Sequence, residues 1–361
     1  MPRTDALRAA AALLLAAAPA FAQSNPVATP FRDEPVALAQ QVALARLGAT
    51  ARALSLVPPL ASAGDDGAQA EGDDETGSQD QGEADEDGGP AADLAQFQAS
   101  LAVAEPKLAR ALGSAVEGMS EAADAGKDAA KSAAEVAGLA EKAAAALPLP
   151  KAAEAPAFRA ALIAGLLLGE GGVSDAYEAA SGGDRAAYVA GYLMLQQVKA
   201  LWQQVMGQAM PEQAADVAQM IGMLDALFPS EEPPAQLSPD PEEAEAPSHQ
   251  IVTLLETITR AELYPGRDVA AAAGMVQDLA ARGCTALASK KDHDLGHEQL
   301  TIAKVYYDQT LGDTLGVMAP DAASEIGEGF EAAARTSAAK APAACKPLLA
   351  ALGQGQAALT P

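Results

Sequence analysis

The chain has 361 residues, 50% of them hydrophobic but only 4% aromatic, and a formal net charge of −26. A polyanion of this kind repels nucleic-acid phosphates and anionic lipid surfaces, so neither is its partner. The charge is uneven: residues 61–90 hold eleven Asp or Glu and 230–247 hold six, with no Lys or Arg in either stretch.

Residues 1–22 read as a secretory signal. Arg3 and Arg8 precede a short apolar run around Leu13-Leu14-Leu15, Pro19 breaks it, and Ala20-Phe21-Ala22 is a small-x-small cleavage site. The run is too short to cross about 30 Å of hydrocarbon. The later apolar run, Ala160 to Leu168, is shorter still and ends in Gly169-Glu170-Gly171-Gly172. The mature chain is therefore expected to start at Gln23, to carry no integral membrane segment and to reach the periplasm by a Sec-type route.

Residues 23–60 form an isolated N-terminal amphipathic helix in this reading. Leu38, Val42, Ala45, Ala49, Ala53 and Leu56 share a side, Asp33 is a candidate cap and Pro58-Pro59 stops the helix. It cannot bury its face alone, so it must dock on the main body, on a second copy or on another protein. Residues 61–92 are an acidic linker, too poor in large apolar groups to offset the entropy of ordering, and are expected to be disordered. Asp85-Glu86-Asp87-Gly88 has the beginning of a calcium loop without its spacing or following helix, which leaves only weak, diffuse calcium binding there.

Residues 93–229 read as an Ala-rich helical domain. A seven-residue repeat runs through 101, 108, 115, 122, 129, 136 and 143, and through Leu112, Met119, Gly126, Ala133, Ala140 and Leu147, a seam of small residues that lets helices approach closely. It predicts one long helical arm, re-initiated at Pro106. Phe158–Leu168 is a short buried helix, and Gly169–Gly172 is its cap, with Ser174 capping the next. No strand precedes this glycine cluster and no Lys-Ser follows, so it is not a phosphate loop. Asp184 caps a helix with Tyr188, Tyr192, Leu195, Val198 and Trp202 on one face, and Pro211 opens a second with Val217, Met220, Ile221, Leu224 and Phe228. This helical hairpin is the expected core. Tyr188, Tyr192 and Trp202 are also the aromatics that would line a solute pocket, although helical spacing favours a core role.

Residues 230–248, with five Pro, are an acidic Pro-rich linker between domains. Residues 249–361 form a C-terminal helical domain. Ile251, Leu254, Leu255 and Ile258 make one face, Asp268 caps a helix ending at Gly283, and Asp292 or Asp294 caps a third helix carrying Leu300, Tyr307, Leu311, Leu315 and Met318. Pro320 opens a fourth helix, and 346–352 form a short last one. Cys284 and Cys345 are an even pair suited to a disulfide in an exported chain, the alternative being two buried thiols. Closing so long a loop stabilises by about 4 kcal/mol in the chain-entropy model.

Chemistry-bearing residues are few. His293 and His297 lie four apart on one helix face, with Asp294 and Glu298 paired beside them, a spacing by which helices present two ligands to a transition metal. No third ligand can be named from the sequence, and the plain reading is a solvated helix start. There is no nucleophile elbow and no Cys-x-x-Cys, and any Ser/His/Asp triad would need His249, His293 or His297 as its base. The expectation is an all-α protein of two helical-bundle domains joined by acidic, Pro-rich disordered linkers. It is expected to be non-catalytic and to work through a protein partner or self-association of its helices. The alternative is a metal-binding helical protein using His293 and His297.

Overall fold

The computed structural model describes residues 29–57, 89–125, 127–264 and 268–359. The expected signal peptide and the acidic run from 58 to 88, including the would-be calcium residues, lie outside them. Within them the protein is all-α, with no strand. The helices are α1 (Pro30–Asp33), α2 (Pro35–Leu56), α3 (Pro90–Ala95), α4 (Gln98–Ala104), α5 (Pro106–Asp124), α6 (Ala130–Ala146), α7 (Pro156–Leu168), α8 (Val173–Ser181) and α9 (Arg185–Val205). There follow α10 (Pro211–Leu227), α11 (Glu242–Thr259), α12 (Val269–Leu287), α13 (His293–Thr310), α14 (Gly312–Met318), α15 (Pro320–Ala334) and α16 (Ala341–Leu359). Proline opens α2, α5, α7, α10 and α15, where its missing N–H has no partner to lose. Asp184 Oδ1 accepts from the Ala186 and Ala187 amides at 2.8 and 3.0 Å, and Asp268 Oδ1 from Ala271 at 2.9 Å, so these two expected caps form, whereas Asp33 lies within α1 and Asp292, at the start of α13, makes no side-chain cap bond.

The N-terminal helix does not stand apart. α2 lies between α7 and α9 on one side and α3 and α6 on the other. Leu38, Ala39, Ala49 and Ala53 enter a large core that also contains residues of α7 to α16. Ala43, Leu44, Leu47 and Ala51 enter a smaller core formed with α3 to α6. The helix is thus buried on two sides, and the single amphipathic face expected for it is incomplete. At Gly48 an added Cβ would lie 3.8 Å from Ala140 Cβ, so the α2–α6 contact is close.

The long arm expected after residue 93 folds up. Phe97 and Glu105 leave helical geometry and split α3, α4 and α5, and the chain turns back before α6. The repeat positions Leu101, Leu112, Ala115, Met119, Ala133, Val136, Ala140 and Ala143 nevertheless line the smaller core. Ser174 does not cap α8; Gly172 does, and the Ser174 hydroxyl is buried inside the helix without a hydrogen-bond partner. By length and composition Pro156–Ser181 could cross a membrane. Here it is two helices broken at Gly169–Gly172, with Phe158, Ile163, Leu166 and Leu167 buried in the large core.

The expected hairpin is core. Phe228 meets Tyr177 edge to face and Tyr188 at a tilt, at centroid distances of 5.6 and 5.2 Å, and Lys199 Nζ meets both Asp225 oxygens at 2.9 Å. The stretch after it is not a free boundary. The Tyr188 and Tyr177 hydroxyls donate to the carbonyls of Ser230 and Ser238, and helix resumes at Glu242 with Pro247 buried within α11. α11 packs on α7 and α10, so one core continues across the expected domain division.

Further expectations are corrected in the C-terminal part. α12 runs through Gly283 to Leu287, and α16 extends well beyond 346–352. Glycine serves close packing here, not helix termination. A Cβ on Gly283 would fall 2.9 Å from Leu300 Cγ, and one on Gly296 would fall 2.3 Å from the Leu287 amide nitrogen. The expected third helix breaks at Leu311 into α13 and α14, and Met318 is exposed, not on the buried face. Cys284 and Cys345 lie with their Cα atoms 5.9 Å apart and their sulfurs at bonding distance, which ties α12 to α16.

Gly296→Ala sets a methyl against backbone, not a movable side chain, and should lower unfolding stability by about 1–3 kcal/mol, the usual range for overpacking. Urea unfolding followed by circular dichroism measures it. An unchanged midpoint would contradict the close α12–α13 contact.

Candidate functional site

The residues that could do chemistry gather around the first turns of α13. Successive residues on a helix are rotated by about 100°, so neighbours face different surroundings. Asp294 is exposed, His293 and His297 are half-buried, and Glu298 is 2% exposed. The four residues expected as a ligand set are therefore divided. The histidines come together, while Glu298 turns inward to other partners.

Glu298 is the centre of a buried polar knot. Its Oε1 accepts from Gln40 Nε2 of α2 at 2.9 Å and from the Ser100 hydroxyl of α4, and its Oε2 accepts from the Ser100 amide at 2.8 Å. Gln40 Nε2 also donates to Ser100 Oγ at 2.9 Å. Burial pushes the carboxyl above its ordinary pKa, and the donated hydrogen bonds act against that shift. Two turns along α13 the Tyr306 hydroxyl donates to the Pro35 carbonyl at 3.1 Å, fastening the start of α2.

A second buried pair joins α2 to α3. Arg46 Nε donates to Asp93 Oδ1 at 3.1 Å, and its terminal amine donates to the same oxygen. Burial pushes Asp93 up to about 6; the Arg46 charge and hydrogen bond pull it down, and Glu170 adds to the rise.

The histidines face each other. His293 Nδ1 lies 2.8 Å from the Leu287 carbonyl, and the two Nε2 atoms are 3.2 Å apart. A carbonyl only accepts, so His293 carries its proton on Nδ1, and its Nε2 lone pair accepts from His297 Nε2–H. Burial, then the nearby His293, hold His297 below the ordinary imidazole pKa. His297 also lines a cavity of about 210 Å³ with Glu170, Thr301, Lys304 and Asp308; Lys304 and Asp308 pair at 2.9 Å. Among the described residues no group of three or more His, Cys, Asp or Glu is placed to hold a metal. His249 is exposed and pairs with Glu245 at 3.4 Å, away from any base role in a site described here.

The other candidate is a surface groove of about 910 Å³ bounded by α2, α6, α7 and α9. Small residues form much of its wall: Ala45 and Gly48 of α2, and Ala137, Ala140 and Ala144 of α6. Leu193, Gln197, Ala200 and Gln204 run along α9 at helical spacing. Leu162 and Leu166 contribute apolar surface, and Arg52 and Glu141 are the charged residues among its lining. Of the aromatics expected at a solute pocket, Tyr188 and Trp202 are buried in the core and Tyr192 packs half-buried against it.

The sequence reading missed both buried acid partners and the groove. Glu298 and Gln40 are separated by 258 residues, and Arg46 and Asp93 by 47. The available signal was a polar Gln40 and Arg46 inside a helix otherwise rich in Ala and Leu, which need buried partners if that helix is enclosed. No family model, curated protein or solved structure matches the chain.

Removing the Glu298 carboxylate strands the Gln40 and Ser100 donors. Glu298→Ala should therefore cost about 2–4 kcal/mol in urea unfolding, whereas Glu298→Gln, after rotation of the Gln40 amide and Ser100 hydroxyl, should cost about half as much or less. Asp93 gives a pH dependence of definite sign. Its folded pKa is raised from 3.8 to about 6, so the fold holds the proton more tightly than the unfolded chain does. Its contribution to stability is fullest at low pH and declines as pH rises through that window. The Arg46→Met, Asp93→Asn double variant should show a flatter fall of the urea midpoint between about pH 4 and about pH 7 than the parent does.

Proposed function

We propose that the chain is an exported, non-catalytic helical binding protein that receives a helix of another polypeptide in the groove between α2, α6, α7 and α9. The groove carries the reading. It is a large concavity, walled by Ala and Gly so that a helix backbone can approach closely, and edged by Gln41, Gln196, Gln197 and Gln204. Amides hydrogen-bond a partner without the desolvation cost of a buried charge. The chain's many acids lie largely outside this lining, so the occupant the groove favours is an amphipathic helix with a small, apolar face.

Export rests on the leader-like residues 1–22, and the Cys284–Cys345 pair suits an oxidising compartment such as the periplasm. The adduct mass in the following experiment tells a partner protein from a second copy.

A photo-crosslinking residue placed at Ala144 or at Ala200, on opposite walls of the groove, should yield adducts of one common mass from the oxidised, exported protein. The same residue at Val317, which is 85% exposed on α14, should yield none. Charge introduced by Gln197→Glu, Gln204→Glu should abolish the adduct at both groove positions while the circular dichroism melt stays within a few degrees. Equal crosslinking at all three positions, or adducts indifferent to the charged variant, would overturn the reading. A mass of twice the chain would identify the occupant as a second copy.

A further inference from the structure

We propose that His293 and His297 are the protein half of a divalent transition-metal site, with the remaining coordination positions open to water or an incoming ligand. Three features of α13 lead there, none of them used by the groove.

The first is the spacing of the donors. The two Nε2 atoms are 3.2 Å apart, with ring planes inclined at 77°. Two imidazole nitrogens bound to one metal at about 2.0–2.1 Å, at tetrahedral or square angles, lie roughly 3 Å from each other. The pair has that separation already.

The second is orientation. His293 donates Nδ1–H to the Leu287 carbonyl at 2.8 Å, the outer hydrogen bond that fixes tautomer and ring direction in metal-bound histidines. The carbonyl belongs to the last turn of α12, and the close approach of Gly296 to that same turn holds α13 against it. The metal takes the place of the proton that His297 Nε2 now donates to His293 Nε2. That proton moves to His297 Nδ1, both Nε2 lone pairs face the cation, and no net proton is released while both rings are neutral.

The third is what the protein leaves unfilled. Glu298, next in sequence, is committed to Ser100 and Gln40, and no third potential protein ligand joins the pair among the described residues. His297 lines the cavity of about 210 Å³ that holds Glu170, Thr301, Lys304 and Asp308, so there is room beside the site for a small ligand. Two neutral imidazoles select the borderline ions, Cu(II) most tightly and Ni(II) and Zn(II) below it, and not calcium or magnesium, which need oxygen.

The test is titration of the disulfide-intact, leader-free chain with Zn(II) and, separately, Ni(II), in excess calcium to occupy the acidic surface. The parent should bind one equivalent and gain thermal stability as metal is added. His293→Ala and His297→Ala should each weaken binding by about tenfold to a hundredfold. His297→Gln keeps a donor for His293 Nε2 and removes the second ligand, so it should melt like the metal-free parent yet lose the metal-induced stabilisation. His249→Ala should bind as the parent does. A parent that binds no equivalent in calcium, or His293→Ala and His297→Gln variants within twofold of the parent, would overturn the proposal. Both outcomes are read without reference to the groove or its occupant.

Discussion

Gln40 and Arg46 sit on a helix that is covered on both sides. α2 sends Leu38, Ala49 and Ala53 into one core and Ala43, Leu44 and Leu47 into another, so its polar residues have little access to water. A buried amide or guanidinium without a partner costs several kcal/mol, and the structure answers with one carboxylate for each: Glu298 from α13 and Asp93 from α3. These ties act on different parts of the molecule. Arg46–Asp93 sets how the smaller core meets α2, and Gln40–Glu298–Ser100 sets how α4 and α13 meet it. Apolar packing alone tolerates sliding by a turn, because Ala and Leu recur along every helix. A buried hydrogen bond does not, since a shift strands its donors.

The environment of α13 follows from this arrangement. With Glu298 directed at α2 and α4, the helix rotation puts His293 and His297 beside the end of α12 and Asp294 in solvent. Gly283 and Gly296 then allow α12 and α13 to touch through backbone, which brings the Leu287 carbonyl within reach of His293. The same acidic residue that looked like a candidate ligand is thus a fold determinant, and its inward position is what separates it from the histidine pair.

The groove has the same origin. α2 is held between α6 on one side and α7 with α9 on the other, and small residues at Ala45, Gly48, Ala140 and Ala144 leave space where larger ones would fill it. Small seams bury little area per residue. The smaller core, built from Ala, Leu and a few larger side chains, depends on α2 to complete it, while the larger core has Trp202, Tyr188, Phe228 and Phe158. One long-range covalent link, between α12 and α16, adds to the larger core only.

What was legible in the sequence is what depends on neighbours within about a turn. Asp184 and Asp268 cap because a short side chain reaches the next free amides, Pro211 and Pro320 open helices because a missing N–H costs nothing there, and the seven-residue repeat marks residues that face the core wherever the helix goes. The all-α class and the pairing of the only two cysteines follow from the same local and compositional rules. Tertiary structure decided the rest. Gly283 and Pro247 look like helix punctuation, yet one is needed for a backbone contact with α13 and the other is buried within α11, so packing outweighed propensity at both. Whether α2 stood alone or was enclosed, and whether Glu298 faced the histidines or Gln40, depended on residues far away in the chain, because burial is a property of the whole core and a single helix carries no record of what will cover it.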